Sequence, residues 1–355
     1  MTPDPAVPLA DGSLSLGPLV DPVLVDPEPA LLAAVVEAYR ESYPDLVDPD
    51  LDALRAAADG EANDATRFGG AIGPTPPTLT VLAAESVVDA VTDGFHAASR
   101  FAALTESGAV ELLTLSTPQP NAVLAAENAG CVLVEGVDGP TAEDASAGDE
   151  PTEDEPTEDE STATDAPATG DASTGDEPAS GEGSKPGDGT ERGGTGRFRH
   201  RVGDDPTLRE LYAEPIATAS TRRLRTPSRH RVYRAFDDRC GGGFADDVVR
   251  VLDVDPSLSS EDLVDARIRV YAVGARHELL DHDLRRACED AGIGSSSTFT
   301  RVKRRLIDAG LVGTERVPQP VGRPRERVVA EPDLADPPLS AVGETIRVAL
   351  ENGTQ

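Results

Sequence analysis

The feature that most limits the fold is a single helix near the C-terminus whose apolar and cationic residues separate onto opposite sides. Residues 295–297 are serines, which favour a helix start, and glycines at 292, 294 and 310 bracket the helical stretch. At 100° per residue, one side of this helix is apolar and carries Phe299, Val302, Leu306 and Ile307. The opposite side is polar and carries Ser297, Thr300, Arg301, Arg304, Arg305 and Asp308.

The flanking segments predict a winged helix-turn-helix domain over residues 259–331. Helical spacing predicts a first helix over 263–278, which buries Leu263, Ile268 and Tyr271, and a second over 279–291. After the cationic helix, residues 311–317 and 325–329 have strand character and enclose a loop rich in proline. Three helices followed by a hairpin is the order of a winged module.

A helix divided in this way suits the major groove of DNA, because one side docks on its own domain and the other meets base edges. The guanidinium fork of arginine can bridge guanine O6 and N7, and hydroxyl side chains can bond a base or a phosphate. Arginines at the tip of the wing suit a narrow minor groove. The alternative is a merely solvated face. The predicted partner is double-stranded DNA, contacted by Ser297, Thr300, Arg301, Arg304, Arg305, Arg323 and Arg325.

The overall charge makes this cationic segment more informative. The chain has 65 acidic and 32 basic residues, a net charge of -33, and only two lysines, Lys185 and Lys303. Excess carboxylate with scarce lysine indicates a cytoplasm of molar salt, where the Debye length falls to about 3 Å. Residues 295–327 nevertheless carry eight basic side chains against three acidic ones.

The first half predicts an α/β domain over residues 21–137, with a small, mostly parallel sheet and flanking helices. Strands are expected at 23–25, 78–83, 110–115 and 131–135, and helices at 28–39 and from residue 85. Residues 1–20 are expected to form a disordered tail, and 44–77 an irregular stretch. This domain is interpreted as a sensor or dimerisation domain.

Three further segments complete the predicted organisation. Residues 138–196 carry 18 acidic residues among Gly, Ser, Thr and Pro, which predicts a disordered acidic linker. A spacer is favoured there over an acidic arm that competes with DNA. Residues 197–258 predict a helical connector rich in arginine, which is either a solvated surface or a second phosphate contact. Residues 332–355 predict a C-terminal helix and tail.

No catalytic, cofactor or metal site is predicted, and the ligand-binding residues stay unknown. The first strand-to-helix turn lacks the glycines of a dinucleotide site or P-loop, and no serine lies in a nucleophile elbow. Cys131, Cys240 and Cys288 lack metal-ligand spacing. Asp26 is either a helix N-cap or a ligand contact, and His96 is expected to be exposed or half-buried. Without a signal peptide or an 18-residue apolar run, the expected location is the cytoplasm, away from membranes.

Several short motifs resemble the C-terminal module of the haloarchaeal transcriptional regulators of the TbsP family. They are Thr298–Arg301, Arg305-Leu306, Gly310-Leu311, Thr314-Glu315, Val317-Pro318 and Val321–Arg325. The likeness continues through Leu224–Pro227 and His277–Leu280 and, more weakly, into residues 22–136. Ser296 and Ser297 stand where the family pattern has Lys-Ala.

The resemblance implies a sequence-specific regulator of sugar or central carbon metabolism genes in a halophilic archaeon, with a sugar-related metabolite as a candidate ligand. Winged regulators usually bind paired half-sites, so a homodimer is expected. Two alternatives stay open at this point. One is a metabolite-binding or enzymatic α/β protein with an accessory winged module, and the other is an adaptor that binds proteins through that module.

Overall fold

The computed structural model describes residues 4–10, 12–59, 75–136, 198–254, 263–320 and 323–352. The segments Met1–Glu135 and Arg199–Gln355 form one compact unit. The predicted acidic linker, 138–196, lies outside the described residues.

The N-terminal segment is a β-hairpin, so the prediction of a loose tail over residues 1–20 is wrong for the described part. Strands β1 (Ala6–Leu9) and β2 (Gly12–Ser15) pair antiparallel. Val7 and Leu16 are buried in the core of the following domain. The prolines hid this hairpin, because proline is tolerated only in edge strands, and such short strands show little alternation.

The α/β region alternates strands and helices. Its elements are β3 (Val23–Val25), α1 (Pro29–Ser42), α2 (Pro44–Val47), α3 (Leu51–Asp59), β4 (Leu79–Ala83), α4 (Glu85–Val91), α5 (Phe95–Ser107), β5 (Val110–Thr114), β6 (Ala122–Ala126) and β7 (Ala129–Gly136). The helix predicted from residue 85 is two helices, and α2 and α3 lie in the stretch predicted to be irregular. Helix α1 has proline in its first turn and buries Leu31, Leu32, Val35 and Tyr39.

The sheet is mixed, which corrects the prediction of a mostly parallel one. Its order is β5-β4-β3-β6-β7, followed by β8 (Phe198–Val202). Strand β3 pairs parallel with β4 and antiparallel with β6, and β6 pairs antiparallel with β7. Residues 115–121 are too few for the crossover of a dozen or more residues that a parallel return requires, and β6 and β7 form a tight hairpin.

The predicted helical connector over 197–258 divides between the two halves of the structure. After β8, helices α6 (Leu208–Leu211) and α7 (Ala213–Thr218) cover the second face of the sheet, where Tyr212 and Ile216 pack on Val23 and Leu82. Residues 220–222 then pair with the edge of β5. The next two helices, α8 (Arg229–Cys240) and α9 (Gly242–Asp253), share a core with the C-terminal helices.

The C-terminal half has the predicted order of three helices and a hairpin. These elements are α10 (Leu263–Arg276), α11 (Asp281–Ala291), α12 (Ser296–Asp308), β9 (Val312–Val317) and β10 (Arg325–Ala330). The two strands pair antiparallel, with Val317 opposite Arg325. After them come α13 (Pro332–Ala335), a 3-10 turn at Leu339–Ala341 and α14 (Val342–Asn352). The side chain of Leu263, predicted to be buried, lies outside the described residues.

Polar contacts join α8 and α9 to the α/β region. Arg55 pairs with Asp246 at 2.5 Å, and Arg229 Nη1 on α8 lies 3.5 Å from Asp48 Oδ1, a carboxylate that also pairs with Arg100. His96 is buried at this junction, contrary to the prediction. Its Nε2 lies 3.0 Å from the carbonyl oxygen of Leu252 on α9.

Asp26 is not a helix N-cap, because Glu28 holds that position in α1. Its backbone adopts a φ of 46°, and its carboxylate accepts a hydrogen bond of 2.6 Å from the backbone N–H of Gln119. The side chain therefore ties the end of β3 to the loop after β5. The other interpretation of Asp26, a ligand contact at this edge of the sheet, stays a prediction.

Cys131 and Cys288 are buried, and Cys240 is half-buried. Burial raises the pKa of the Cys240 thiol to about 11, so this thiol stays protonated at neutral pH. Among the described residues, no three His, Cys, Asp or Glu side chains come together as they would around a metal ion. None of the described helices is long and apolar enough to span a bilayer.

Candidate nucleic-acid interface

Helix α12 is fixed to the C-terminal core by its apolar side. Ser295 caps the helix, because its Oγ accepts a hydrogen bond from the backbone N–H of Thr298 at 3.4 Å. Phe299 and Leu306 are fully buried, and the ring of Phe299 stacks on Tyr271 at 6.1 Å between centroids. Ile307 departs from the prediction and is 40% exposed, since it lies at the edge of this side in the last helical turn. The opposite side is therefore presented outward in a fixed orientation.

All five residues predicted to read DNA from α12 are exposed. Arg301, Arg304 and Arg305 form no ion pair with any carboxylate in the described part of the chain. Because their charges are not neutralised within the protein, this surface can attract an anionic partner. We call the surface formed by Ser297, Thr300, Arg301, Arg304 and Arg305 the reading face.

The two hydroxyl residues of the reading face are held in place by neighbours. Thr300 Oγ1 accepts a hydrogen bond from Arg285 Nη1 at 3.0 Å and donates one to the Ser296 carbonyl oxygen at 3.0 Å. Ser297 Oγ lies 2.9 Å from Ser295 Oγ. Thr300 is thus oriented by a cation on α11, which sequence reasoning missed.

The wing places two of the predicted contacts at the far end of its hairpin. Arg323 and Arg325 are both exposed, and Val321 and Gly322 lie outside the described residues. Arg325 Nη1 lies 3.7 Å from Asp283 Oδ2, a loose pairing that leaves half of its side chain accessible. The structure therefore brings a second cationic group to the end of the wing, separate from the reading face.

A buried charge cluster lies on the inward side of α12. Asp281 is 4% exposed, and its carboxylate accepts hydrogen bonds from the Tyr271 hydroxyl and from Arg285. Lys303 Nζ lies 3.5 Å from Asp281 Oδ2 and 2.5 Å from Glu326 Oε2 on the wing. We call Tyr271, Asp281, Arg285, Lys303 and Glu326 the anchoring cluster. It connects all three helices of the module to β10.

The anchoring cluster shifts the pKa of two of its members, Tyr271 and Glu326. Burial raises the pKa of the Tyr271 hydroxyl, which keeps it a hydrogen-bond donor to Asp281. The hydrogen bond from Lys303 is the largest influence on Glu326 and lowers the pKa of that carboxyl. At neutral pH, Glu326 is therefore ionised and paired with Lys303.

The sequence contained a signal for the inward position of Lys303, although the residue was included in the count of eight basic side chains over residues 295–327. It follows Phe299 by four residues and precedes Leu306 by three, so it projects to the buried side of the helix. Arg327 is also engaged, with Glu278 at 3.3 Å. The cations available to a partner are consequently fewer than the sequence count suggested.

Two family models match the chain. One is described as the C-terminal helix-turn-helix domain of TbsP-like transcriptional regulators and matches residues 228–347. The other is described as the N-terminal region of TbsP-like transcriptional regulators and matches residues 46–147. The first match begins at Ser228, the N-cap of α8, so it includes α8 and α9 with the winged module. No curated protein and no solved structure matches the chain.

Proposed function

We propose, from the premise that this chain belongs to the TbsP-like family of transcriptional regulators, that it binds DNA in a sequence-specific manner through α12. The observation that carries the proposal is the reading face. Its three arginines are exposed and unpaired within the described residues, while Lys303 on the same helix turns inward. A helix held by its apolar side and charged on the other fits the major groove.

Individual roles follow from position and chemistry. Arg301 and Arg304 lie in the middle of the reading face and are proposed to bridge guanine O6 and N7. Thr300 and Ser297 lie nearer the helix start and are proposed to bond a base edge or a phosphate. Arg305 is proposed to share the phosphate contacts, which fix the register of the helix on the duplex.

The wing is proposed to contact the adjacent minor groove. Arg323 and Arg325 are exposed on the hairpin, and the electrostatic potential of a narrow minor groove favours inserted arginine. Contacts of this kind select for groove width and less for individual bases. The wing therefore adds a preference for A·T-rich flanks.

The regulated genes are proposed to be those of sugar or central carbon metabolism in a halophilic archaeon. The family resemblance suggests the genes, and the excess of 65 acidic over 32 basic residues supports the salt-rich cytoplasm. Counterion release drives binding weakly when salt is already molar. Base contacts by the reading face must then supply more of the affinity.

The α/β region is proposed to act as a sensor or dimerisation domain and not as an enzyme. Polar contacts such as Arg55 with Asp246 connect it to α8 and α9, which share the core of the winged module. A sugar-related metabolite bound to this region could then influence the DNA-binding half. A homodimer on paired half-sites is the proposed assembly, because two-fold symmetry matches palindromic operators.

Genome-wide chromatin immunoprecipitation tests the function. The wild type is compared with the double variant Arg301→Ala/Arg304→Ala and with Arg347→Ala, an exposed arginine on α14 that pairs with Glu344 at 2.6 Å. We expect the wild type and Arg347→Ala to occupy the same promoters, enriched in carbon-metabolism genes, and the double variant to lose them. Unchanged occupancy in the double variant would exclude the reading face.

A further inference from the structure

A cleft of about 310 Å³ lies between α11 and the start of α12. It is lined by His282, Arg285, Arg286, Glu289 and Ser296. The four α11 residues follow the spacing i, i+3, i+4 and i+7, so they share one side of that helix. We call this the α11–α12 cleft.

The α11–α12 cleft is open to solvent, and its charged lining residues include two arginines and one carboxylate. The Arg286 side chain is 57% exposed and only loosely paired, with its Nη1 3.6 Å from Glu289 Oε2. Arg285 is held by Asp281, and its Nε has no hydrogen-bond acceptor among the described residues. His282 is exposed on the same side. The cleft volume is about ten times the 30 Å³ share of one water molecule, which is ample for a phosphate group.

One internal anion occupies part of this cleft. Glu289 Oε1 accepts a hydrogen bond of 2.7 Å from the backbone N–H of Ser296, the first residue of α12. That N–H has no partner within the helix, so the carboxylate takes the place that an external anion could occupy. Glu289 therefore stabilises the helix start and also opposes the approach of a second negative group.

The α11–α12 cleft adjoins the reading face. Arg285 lines it and donates a hydrogen bond to Thr300, and Ser296 lines it and accepts one from the same Thr300 hydroxyl. A duplex whose bases meet Thr300 and Arg301 must pass its sugar-phosphate backbone beside the first turn of α12. The cleft therefore lies where a backbone phosphate is expected.

We propose that the α11–α12 cleft binds one phosphate of the DNA backbone, with Arg286 and His282 as direct contacts and Glu289 as an internal carboxylate that weakens the contact. This inference rests on the proposed DNA binding by the reading face and deepens it. Arg285 is a positioning residue, because Asp281 and Thr300 engage its guanidinium. Phosphate contacts fix the orientation of the protein on the duplex but carry no sequence information. The cleft therefore sets the register and affinity of binding and does not contribute to base preference.

The experiment measures binding of the full chain to its selected operator and to an unrelated duplex across a salt series. Arg286→Gln is compared with Arg250→Gln, an arginine with 52% exposure that pairs with Asp247 at the same i,i+3 spacing on α9. We expect Arg286→Gln to weaken binding to both duplexes by the same factor, roughly three- to tenfold, and to lower the salt slope by about 1. Arg250→Gln is expected to match the wild type.

Glu289→Gln is expected to change DNA affinity in the direction opposite to Arg286→Gln. The amide keeps an oxygen that can accept from Ser296, so the helix start is preserved while the negative charge is removed. We expect tighter binding to both duplexes, by roughly two- to fivefold, with a steeper salt slope. Weaker or unchanged binding would overturn the role given to Glu289.

A single neutral methylphosphonate, moved along the operator backbone, locates the phosphate. One position is expected to weaken the wild type and to have a clearly smaller effect on Arg286→Gln, because this variant keeps only the His282 contact. Additive losses at every position would overturn the proposal, as would an unchanged salt slope in Arg286→Gln. If Arg304→Ala also binds normally, the proposed function fails as well, whereas normal binding by Arg286→Gln alone removes only the cleft.

Titration of inorganic phosphate into the free protein at constant ionic strength tests whether the cleft binds a free phosphate ion instead of a phosphate of the DNA backbone. We expect no saturable binding below millimolar concentration, because two exposed side chains, Arg286 and His282, bind an isolated phosphate weakly without the rest of the duplex. Micromolar binding that disappears in Arg286→Gln would assign the cleft to a free phosphate and overturn its assignment to the backbone.

Discussion

The outward and inward sides of α12 both carry cations, but these cations differ in exposure and in ion pairing. On the reading face, Arg301, Arg304 and Arg305 are exposed and have no carboxylate partner within the described residues. On the inward side, Lys303 is 13% exposed and lies between Asp281 and Glu326. Both sides carry positive charge, yet one is available to a partner and the other is consumed in holding the helix.

This difference shows why counting cations overstates an interface. A paired cation contributes little field at the surface, since its partner cancels most of it, and separating a buried pair is costly. Arginine and lysine also divide the work according to their chemistry. The planar fork of arginine suits bidentate contacts with bases, and the compact ammonium of lysine suits a point between two carboxylates.

The largest effect is expected from breaking the anchoring cluster. Asp281→Ala leaves Lys303 and Arg285 without their buried carboxylate, and removal of one partner of a buried pair costs about 3–5 kcal/mol. Urea unfolding followed by circular dichroism measures the loss. Asp308→Ala, which changes an exposed residue on α12, is the control and should change stability by less than about 0.5 kcal/mol. Equal stability of the two variants would contradict the distinction between the sides.

Substitutions on the reading face are expected to weaken DNA binding and to leave stability unchanged. Arg304→Ala should leave unfolding unchanged and cost about 1–3 kcal/mol of binding at one operator position, because an exposed, unpaired side chain adds little to stability. Titration against a set of single-base operator variants measures this loss. A uniform loss over all variants would reassign Arg304 to a phosphate contact.

The wing is expected to contribute a smaller and less specific term. Arg323→Ala should weaken binding by about 1 kcal/mol and flatten the preference for A·T-rich flanks, because it removes a cation suited to a narrow minor groove. Operators with A·T-rich or G·C-rich flanks provide the comparison. A constant loss on both flanks would mean that Arg323 contacts phosphate outside the groove.

The smallest effect is expected on the pH dependence of stability, from Glu326 at the exposed end of the anchoring cluster. The pKa of Glu326 is lowered in the folded state by Lys303, so its ionised form stabilises the fold above the unfolded pKa of about 4.3. That contribution is lost as the pH falls through the folded pKa. Because half of the Glu326 side chain is exposed, solvent screening limits it to below about 1 kcal/mol.

Thermal melting of wild type and Glu326→Gln from pH 7 to pH 3 tests this expectation. The wild type should melt higher at neutral pH, and the two curves should converge below about pH 4. A difference that grows in acid would show that the Lys303 pairing does not carry the effect. High salt should reduce the difference at neutral pH, because this end of the cluster is accessible to ions.

Much of the C-terminal module could be predicted, because its elements are long and strongly periodic. The apolar positions of α12 and the glycine stop after α11 placed the helices within a few residues, and Gly292 takes a φ of 82° as that stop requires. The N-terminal hairpin and strand β6 were missed, since their short segments contain proline, glycine and alanine, which are depleted in strands. Helix α3 was hidden by the proline- and glycine-rich residues around it.

The sequence by itself determined the order of elements in the winged module, the amphipathic division of α12 and the chemistry of its outward side, because helical periodicity and side-chain type are local properties. Only the tertiary structure decided that the sheet is mixed, that Lys303 faces Asp281 and that α11 contributes a cationic cleft. Those features depend on which elements pack together. Partners brought together by packing, such as Asp281 and Glu326, are distant in the chain and leave no local trace in it.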